Sequence, residues 1–213
     1  MSVGSAERGP RAGAQLADAL GQVSATLRRS TVQLRERGRG AGAGVIWRDD
    51  GVVVTNAHVV AGAEAEVELW DGRRLPGRVV LRDPRRDLAV LVLDTGPLPA
   101  ARIGSAAALR PGELVLALGN PLGWAGALAL GVVHATEPPS EMGTATPRWV
   151  RADIRLAPGN SGGPLADAHG RVVGVNTLVV NGLGYAVPSE AVEHLLRRGV
   201  PATGHGGEWG RAA

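Results

Sequence analysis

Lysine and cysteine are both absent from this 213-residue chain, so its 23 basic residues other than histidine are all arginine. The absence of lysine excludes a P-loop phosphate site, a Schiff base and a serine–lysine nucleophile pair. The absence of cysteine excludes thiol catalysis, disulfides and thiolate metal sites. Phenylalanine is also absent and tyrosine occurs once, so stacking of nucleic-acid bases on aromatic side chains is not expected.

The net charge of +3 comes from the amino-terminal arm. Residues 1–44 contain seven arginines and three acidic residues, whereas residues 45–213 contain 16 arginines and 17 acidic residues. A basic groove across the main domain is therefore not indicated, and we expect no nucleic-acid partner. Docking of the arm on an acidic partner is a minor alternative, because a solvated tail is the commoner fate of such a segment.

Nothing in the chain predicts a membrane segment. The first dozen residues contain no apolar core of a secretory signal. Residues 114–136 carry no Asp, Glu or Arg, but the turn signal Gly119–Gly123 divides them into two short apolar runs, which indicates two buried strands. We expect no membrane association and a cytoplasmic location, or export if a leader has been removed.

Short β-branched runs between turn signals dominate the chain after residue 44. Their spacing of roughly ten residues favours antiparallel barrels or a sandwich over alternating strands and helices. Residues 1–14 resemble a disordered arm, and residues 201–213 a short tail. An apolar stripe at helical spacing predicts an amino-terminal helix, and a second helix is predicted over residues 189–198. The stripe consists of Leu16, Leu20, Val23 and Leu27, and the predicted strands are Val45–Trp47, Gly51–Thr55, Glu66–Trp70, Arg78–Leu81, Leu88–Leu93, Leu114–Leu118, Ala127–Ala135, Trp149–Ile154, Arg171–Asn176 and Tyr185–Val187.

The alternating run Gly38–Gly44 is a weak candidate for a phosphate-binding loop. No lysine follows it, and no helix is predicted after it, so the strand–loop–helix context of a phosphate-binding loop is missing. A flexible turn or a close backbone contact is the favoured interpretation.

The most specific feature of the chain is the segment Gly159–Pro164 (GNSGGP). Glycines on both sides of Ser161 allow a tight turn that exposes the hydroxyl group and directs consecutive amides to one side. An acyl-transfer enzyme needs such amides, because they bind the oxyanion of the tetrahedral intermediate. A serine nucleophile also needs a base and a carboxylate that orients the base.

His58 is the best candidate for the base, because it directly follows the predicted strand that ends at Thr55. The carboxylate is best supplied by Asp87, which stands at the mouth of the apolar run Leu88–Leu93. The rival acids, Asp83 and Asp94, are expected to be solvated turn residues. The other candidate bases are His134, His169, His194 and His205, of which the last three are expected to lie at the surface or in the tail.

His58, Asp87 and Ser161 follow one another in the order that is typical of chymotrypsin-like enzymes. Six ordered blocks then make the resemblance specific, and together they cover about residues 41–198. On these blocks the chain resembles the HtrA/Deg family of trypsin-like serine proteases. The blocks are Thr55–Val60 (TNAHVV), Asp87–Leu93 (DLAVLVL), Gly119–Gly123 (GNPLG), Gly159–Leu165 (GNSGGPL), Gly170–Thr177 (GRVVGVNT) and Gly184–Ser189 (GYAVPS).

The resemblance implies an all-β fold of two six-stranded antiparallel β-barrels, flanked by an amino-terminal and a carboxy-terminal helix. The protease domain would span residues 15–200, with the first barrel at about 30–100 and the second at about 113–188. The implied activity is a serine endopeptidase that hydrolyses unfolded or damaged proteins and peptides through a triad of His58, Asp87 and Ser161. Gly159 and Ser161 would provide the oxyanion hole with help from Asn160, and neither a metal nor an organic cofactor is required.

Some features depart from the family pattern. Arg155, six residues before Ser161, stands where a small apolar residue is usual, at the base of the specificity pocket. Leu178, Val179 and Leu183 are the other predicted substrate-binding residues. About 15 residues follow the last helix, so we expect no PDZ domain. The expected absence of a PDZ domain and the unusual Arg155 keep a second hypothesis open. In this hypothesis the chain is a protease-like binding or holdase module with an inactive site.

The resemblance also suggests a homotrimer, held by amino-terminal segments around the apolar stripe.

Overall fold

The computed structural model of the protein describes residues 9–36, 39–120, 126–136 and 149–200. The first six strands are β1 (Thr31–Glu36), β2 (Arg39–Arg48), β3 (Val52–Thr55), β4 (Glu64–Glu68), β5 (Arg74–Asp83) and β6 (Leu88–Leu93). The second six are β7 (Leu114–Gly119), β8 (Ala127–Ala135), β9 (Val150–Asp153), β10 (Pro164–Asp167), β11 (Val172–Val180) and β12 (Leu183–Pro188). The helices are α1 (Gly9–Arg29) and α2 (Ser189–Leu196), with a short 3-10 helix at Ala106–Ala108 between the two sets of strands.

Each set of six strands closes into an antiparallel barrel. The strand order is β1-β2-β3-β6-β5-β4 in the first barrel and β10-β11-β12-β9-β8-β7 in the second. The predicted fold class, two six-stranded antiparallel barrels with two helices, is confirmed. Among the described residues, no helix has the length and apolar character needed to cross a membrane.

The interior of the first barrel and the contact between the barrels share one strand. All six residues of β6 are buried. Ala89, Leu91 and Leu93 point into the first barrel, while Leu88, Val90 and Val92 pack into a cluster between the barrels. Because successive side chains of a strand point to opposite faces, a strand buried on both faces is apolar throughout, which explains the unbroken run.

The cluster between the barrels also receives side chains from both helices and from the second barrel. Leu27 of α1 and Leu195 of α2 are each 1% exposed within it. Leu118 of β7 and Val175 of β11 contact it from the second barrel. The two helices therefore seal the joint between the barrels.

Several elements differ from their predicted bounds. Helix α1 begins at Gly9, inside the segment 1–14 that was expected to be disordered. Residues 39–44 of the glycine run belong to β2, so this part of the run is not a flexible turn. Strand β10 was not predicted, because a four-residue segment with Pro164 at one end and Asp167 at the other has no β-branched character.

Helix α2 begins without a side-chain cap. Pro188 occupies the N-cap position, and no side chain makes a capping hydrogen bond there. The Ser189 hydroxyl instead donates to the carbonyl oxygen of Gly104 (2.8 Å), in the connection between the barrels. The helix is thus attached to that connection.

Candidate active site

Strand pairing in the first barrel brings His58 and Asp87 together. β3 ends at Thr55, and Thr55 pairs with Ala89 of β6, so the residues just after β3 lie beside the residues just before β6. His58 Nδ1 lies 2.7 Å from Asp87 Oδ2, and the backbone amide of His58 donates to Asp87 Oδ1 at 3.0 Å. The carboxylate thus holds both the ring and the backbone of His58.

Asp87 has an unusual backbone conformation, with φ at 54°. Asp adopts this left-handed region more readily than most residues, since its short polar side chain can form local hydrogen bonds. The preceding turn is closed by Asp83, whose Oδ1 accepts from the amide of Arg86 and whose Oδ2 accepts from the Arg86 guanidinium at 2.7 Å. The Asp87 carboxylate, which contacts His58, therefore follows a turn that is stabilised by the ion pair between Asp83 and Arg86.

Asp83 was regarded above as a solvated turn residue, but it is 6% exposed. Burial acts to raise the pKa of the Asp83 carboxyl, but hydrogen bonds from the side chain and backbone of Arg86 outweigh burial and hold that pKa below its ordinary value. Asp94, the other rival, is exposed at the end of β6. Neither acid makes a hydrogen bond to His58 among the described residues.

Ser161 reaches the same place from the second barrel. Its carbonyl oxygen accepts from the amide of Ala43 in β2 at 2.8 Å. A Cβ atom added to Gly42 would lie 2.8 Å from that oxygen, so the glycine run makes the close backbone contact that was one of its two favoured interpretations. The Ser161 hydroxyl donates to the carbonyl oxygen of Thr177 (3.0 Å), so its proton must be redirected before it can pass to His58.

The loop before Ser161 presents amides to the cleft. Gly159 has φ at 105°, a conformation that side chains disfavour. Its carbonyl oxygen accepts from the amide of Asn120 at 3.0 Å. The amides of Gly159 and Ser161 donate to no protein acceptor in the described part of the chain, which leaves both available to a ligand.

Asn160 is engaged differently. Its backbone amide and its side-chain Nδ2 both donate to the carbonyl oxygen of Ala157, at 3.0 and 3.2 Å. The residue is 4% exposed. This geometry favours a role for Asn160 in shaping the loop, and its predicted help in the oxyanion hole stays a prediction.

A cleft of about 470 Å³ separates His58 from the loop of Ser161. Its apolar wall includes two of the proposed substrate-binding residues, Leu178 and Val179, together with Leu156. Arg155 is exposed and does not line the cleft, and neither does Leu183, so their roles in substrate binding remain predictions. The lining consists of His58, Leu156, Ala157, Pro158, Gly159, Asn160, Ser161, Asn176, Thr177, Leu178 and Val179.

Three of the four remaining histidines lie in the described part of the chain, and none of the three lines this cleft. His134, His169 and His194 are exposed, and His205 lies outside the described residues. Over the described ranges, no group of three His, Cys, Asp or Glu residues is placed to hold a metal ion.

Sequence reasoning missed three residues that support the site. Asn56 donates to the backbone carbonyl of Asp87 and to the Thr177 hydroxyl. Arg82 donates to the carbonyl oxygens of Ala57 and Val60, on both sides of His58. Asn56 and Thr177 stand within the recognised blocks, so their position could have drawn attention to them, whereas nothing in the sequence distinguishes Arg82 from other arginines.

Comparison with known proteins was made on sequence and on structure. A family model described as a trypsin-like peptidase domain matches residues 42–175. The Synechocystis protein named as serine protease HhoB is 41% identical over 166 residues, which cover 75% of this chain and 40% of that protein. A Marinomonas protein named as a periplasmic serine endoprotease of the DegP-like type is 38% identical over 70% of this chain and 33% of its own length. The chain thus spans well under half the length of these relatives.

A solved structure, the HtrA-type protease AlgW with a tripeptide, superimposes with a TM-score of 0.75 at 31% identity. This match covers 85% of the present chain and 62% of the other.

The ion pair between Asp83 and Arg86 predicts how the stability of the fold depends on pH. A carboxyl whose folded pKa is lowered stabilises the fold above its unfolded pKa, and this contribution is lost as the pH falls. Asp83→Asn should therefore lower the free energy of unfolding by about 1.5–3 kcal/mol at pH 7. Its deficit relative to wild type should shrink towards pH 3, as measured by urea unfolding followed by tryptophan fluorescence. The exposed Asp94→Asn is the control, and an Asp83→Asn deficit that does not change with pH would contradict the assignment.

Proposed function

The chain belongs to the HtrA-type trypsin-like serine proteases, and on this basis we propose that it is an endopeptidase that hydrolyses peptide bonds of unfolded or damaged proteins. The observation that carries the proposal is the 2.7 Å contact between His58 Nδ1 and Asp87 Oδ2, opposite Ser161 in one cleft. A carboxylate on Nδ1 fixes the imidazole tautomer, which leaves Nε2 free to accept a proton.

The proposed reaction begins at Ser161. Its Oγ attacks the carbonyl carbon of the scissile bond as the hydroxyl proton passes to His58 Nε2. When the C–N bond breaks, the imidazolium returns this proton to the leaving amine. Water then attacks the acyl carbon as one of its protons passes to His58. When the ester bond to Ser161 breaks, the imidazolium returns this proton to Ser161 Oγ and the carboxylic acid product departs. Asp87 stays ionised throughout and stabilises the imidazolium.

The oxyanion is proposed to bind the amides of Gly159 and Ser161. Both amides lack a protein acceptor among the described residues, and the positive φ of Gly159 accompanies this orientation of the loop. Preorganised donors of this kind stabilise charge that develops in the transition state.

The substrate is proposed to bind as an extended strand beside β11. Leu178, Val179 and Val180 are 41–49% exposed at the end of β11, beyond its buried portion. Leu178 and Val179, together with Leu156, give the cleft an apolar wall, which suits aliphatic side chains. The similar protease AlgW was solved with a tripeptide, which supports a peptide as the ligand here.

The second hypothesis, a holdase module with an inactive site, is not favoured. The relatives are named as serine proteases, and Arg155, one of the two grounds for this hypothesis, does not line the cleft. Proteolysis of protein substrates needs neither a metal nor an organic cofactor, and the proposed reaction uses neither.

Two further parts of the proposal concern location and assembly. The name of the Marinomonas relative assigns that protein to the periplasm, which supports export of this chain over a cytoplasmic location.

A homotrimer through the amino-terminal segment is supported by α1, whose apolar stripe is buried at Leu27 but 55% exposed at Leu16. The exposed half of the stripe is available to other copies of the chain.

The nucleophile is tested by Ser161→Ala. Loss of the attacking oxygen should lower kcat on casein or an aliphatic peptide by at least about 10⁴-fold and should abolish labelling by a fluorophosphonate probe. The exposed Ser105→Ala is a control for the substitution itself. Undiminished hydrolysis by Ser161→Ala would remove Ser161 from the mechanism.

The specificity wall is tested by cleavage of a peptide mixture. Leu156→Ala should shift cleavage towards larger residues on the amino side of the scissile bond, because it enlarges the cleft. Arg155→Ala should leave this preference unchanged, since Arg155 is exposed beside the cleft. Loss of a preference for acidic residues in Arg155→Ala would show instead that its guanidinium enters the pocket.

Assembly is tested by Leu16→Glu. A charge on the exposed half of the stripe should convert trimers into monomers, because burial of an unpaired carboxylate between copies is unfavourable. Light scattering after size exclusion measures the mass, with Gln15→Glu as the matched charge control. A monomeric wild type, or a trimer that persists in Leu16→Glu, would refute assembly through this stripe.

A further inference from the structure

Asn56 occupies the centre of a hydrogen-bond network that spans the two barrels. It follows β3 directly, two residues before His58, and its side chain is fully buried (0% exposed). Its Nδ2 donates one proton to the carbonyl oxygen of Asp87 and the other to Oγ1 of Thr177, both at 2.9 Å. One nitrogen therefore joins a residue of the first barrel to a residue of the second.

Each of these bonds leads to a group of the proposed triad. Asp87 carries the carboxylate that contacts His58, in a backbone conformation with φ at 54°. A donor on its carbonyl oxygen restricts rotation of that backbone and hence the direction of the carboxylate. At the other end, the carbonyl oxygen of Thr177 accepts the hydroxyl proton of Ser161 at 3.0 Å. Asn56 thus contacts Asp87 directly and is connected to Ser161 through Thr177.

Packing alone does not explain an asparagine here. Its Oδ1 is buried and accepts no hydrogen bond within the described chain, and such orphaned oxygens are uncommon because desolvation is not compensated. Leucine would fill a similar volume without that penalty, but it donates nothing. Aspartate would have no amide protons for the two acceptors.

We propose that Asn56 is a positioning residue for peptide hydrolysis, which sets the Asp87 carboxylate and the Ser161 hydroxyl in register across the joint between the barrels. The inference rests on the proposed function, since it concerns the same triad. Asn56 itself touches none of the reacting atoms and does not line the cleft.

The test compares Asn56→Leu and Thr177→Val, singly and together, in the full chain. Misplacement of the triad by a fraction of an ångström to 1 Å should lower kcat for a peptide substrate by up to about 100-fold. In Asn56→Leu, KM should stay within about twofold, because Asn56 does not line the cleft. The two losses should be less than additive, since both variants remove the same bond. Thr177→Ser, which retains an acceptor hydroxyl, should recover most of the activity lost in Thr177→Val.

A spectroscopic readout separates positioning from stability. The His58 Nδ1 proton shared with Asp87 should give a downfield proton resonance in wild type, which should shift or broaden in Asn56→Leu. Trp47→Phe is the matched control, because it removes another hydrogen bond between the first barrel and a distant element, from Trp47 Nε1 to Glu193 at 2.6 Å, without touching the site. This control should keep both kcat and the resonance.

The outcomes are distinct. If Asn56→Leu retains the kcat and the resonance of Trp47→Phe, the positioning role is refuted. If wild type neither hydrolyses peptides nor reacts with the fluorophosphonate, the proposed function fails, while the resonance still reports whether Asn56 orients His58 and Asp87. Should Asn56→Leu not fold, the contrast between Thr177→Val and Thr177→Ser decides, and equal activity of these two would overturn the proposal.

Discussion

The apolar cluster between the two barrels is the contact on which the geometry of the cleft depends. His58 and Asp87 belong to the first barrel and Ser161 to the second, so no element positions all three directly. Burial of the outer faces of β3 and β6 against β7 and β11 holds the barrels together without specifying direction, since hydrophobic contact is non-directional. The cluster therefore holds the barrels together, whereas polar groups have to fix the position of one barrel relative to the other.

Hydrogen bonds between the two barrels fix this relative position. The amide of Ala43 donates to the carbonyl oxygen of Ser161, and Asn56 donates to Thr177, so the nucleophile loop is tied to β2 and to the end of β3. Both bonds are buried, where a misplaced partner would leave an unsatisfied group, and small displacements are accordingly unfavourable. The close contact at Gly42 has the same effect, because a side chain there would push the nucleophile loop away.

The fold class could be predicted from the sequence because the spacing of short runs favours antiparallel barrels or a sandwich, and because six ordered blocks carry a specific resemblance that implies barrels. The contacts between residues of the two barrels could not be predicted from the sequence. Asn56 resembles any polar residue at a strand end, and its partners lie 31 and 121 positions away. Asp83 was regarded as solvated, because an acid in Asp-Pro-Arg-Arg is typical of a turn, and only the folded chain reveals its burial. The orientation of Arg155 likewise depends on side-chain packing that no pattern of residue types encodes.

The end of β5 illustrates how two neighbouring charges serve different parts of the site. Side chains of Arg82 and Asp83 point to opposite faces of the strand. Arg82 donates to the carbonyl oxygens of Ala57, Val60 and Gly62, and so fixes the loop that carries His58. Asp83 closes the turn that carries Asp87 through its ion pair with Arg86. A one-residue slip of β5 would exchange these faces and lose both supports at once, so the register of this strand is bound to the geometry of the site.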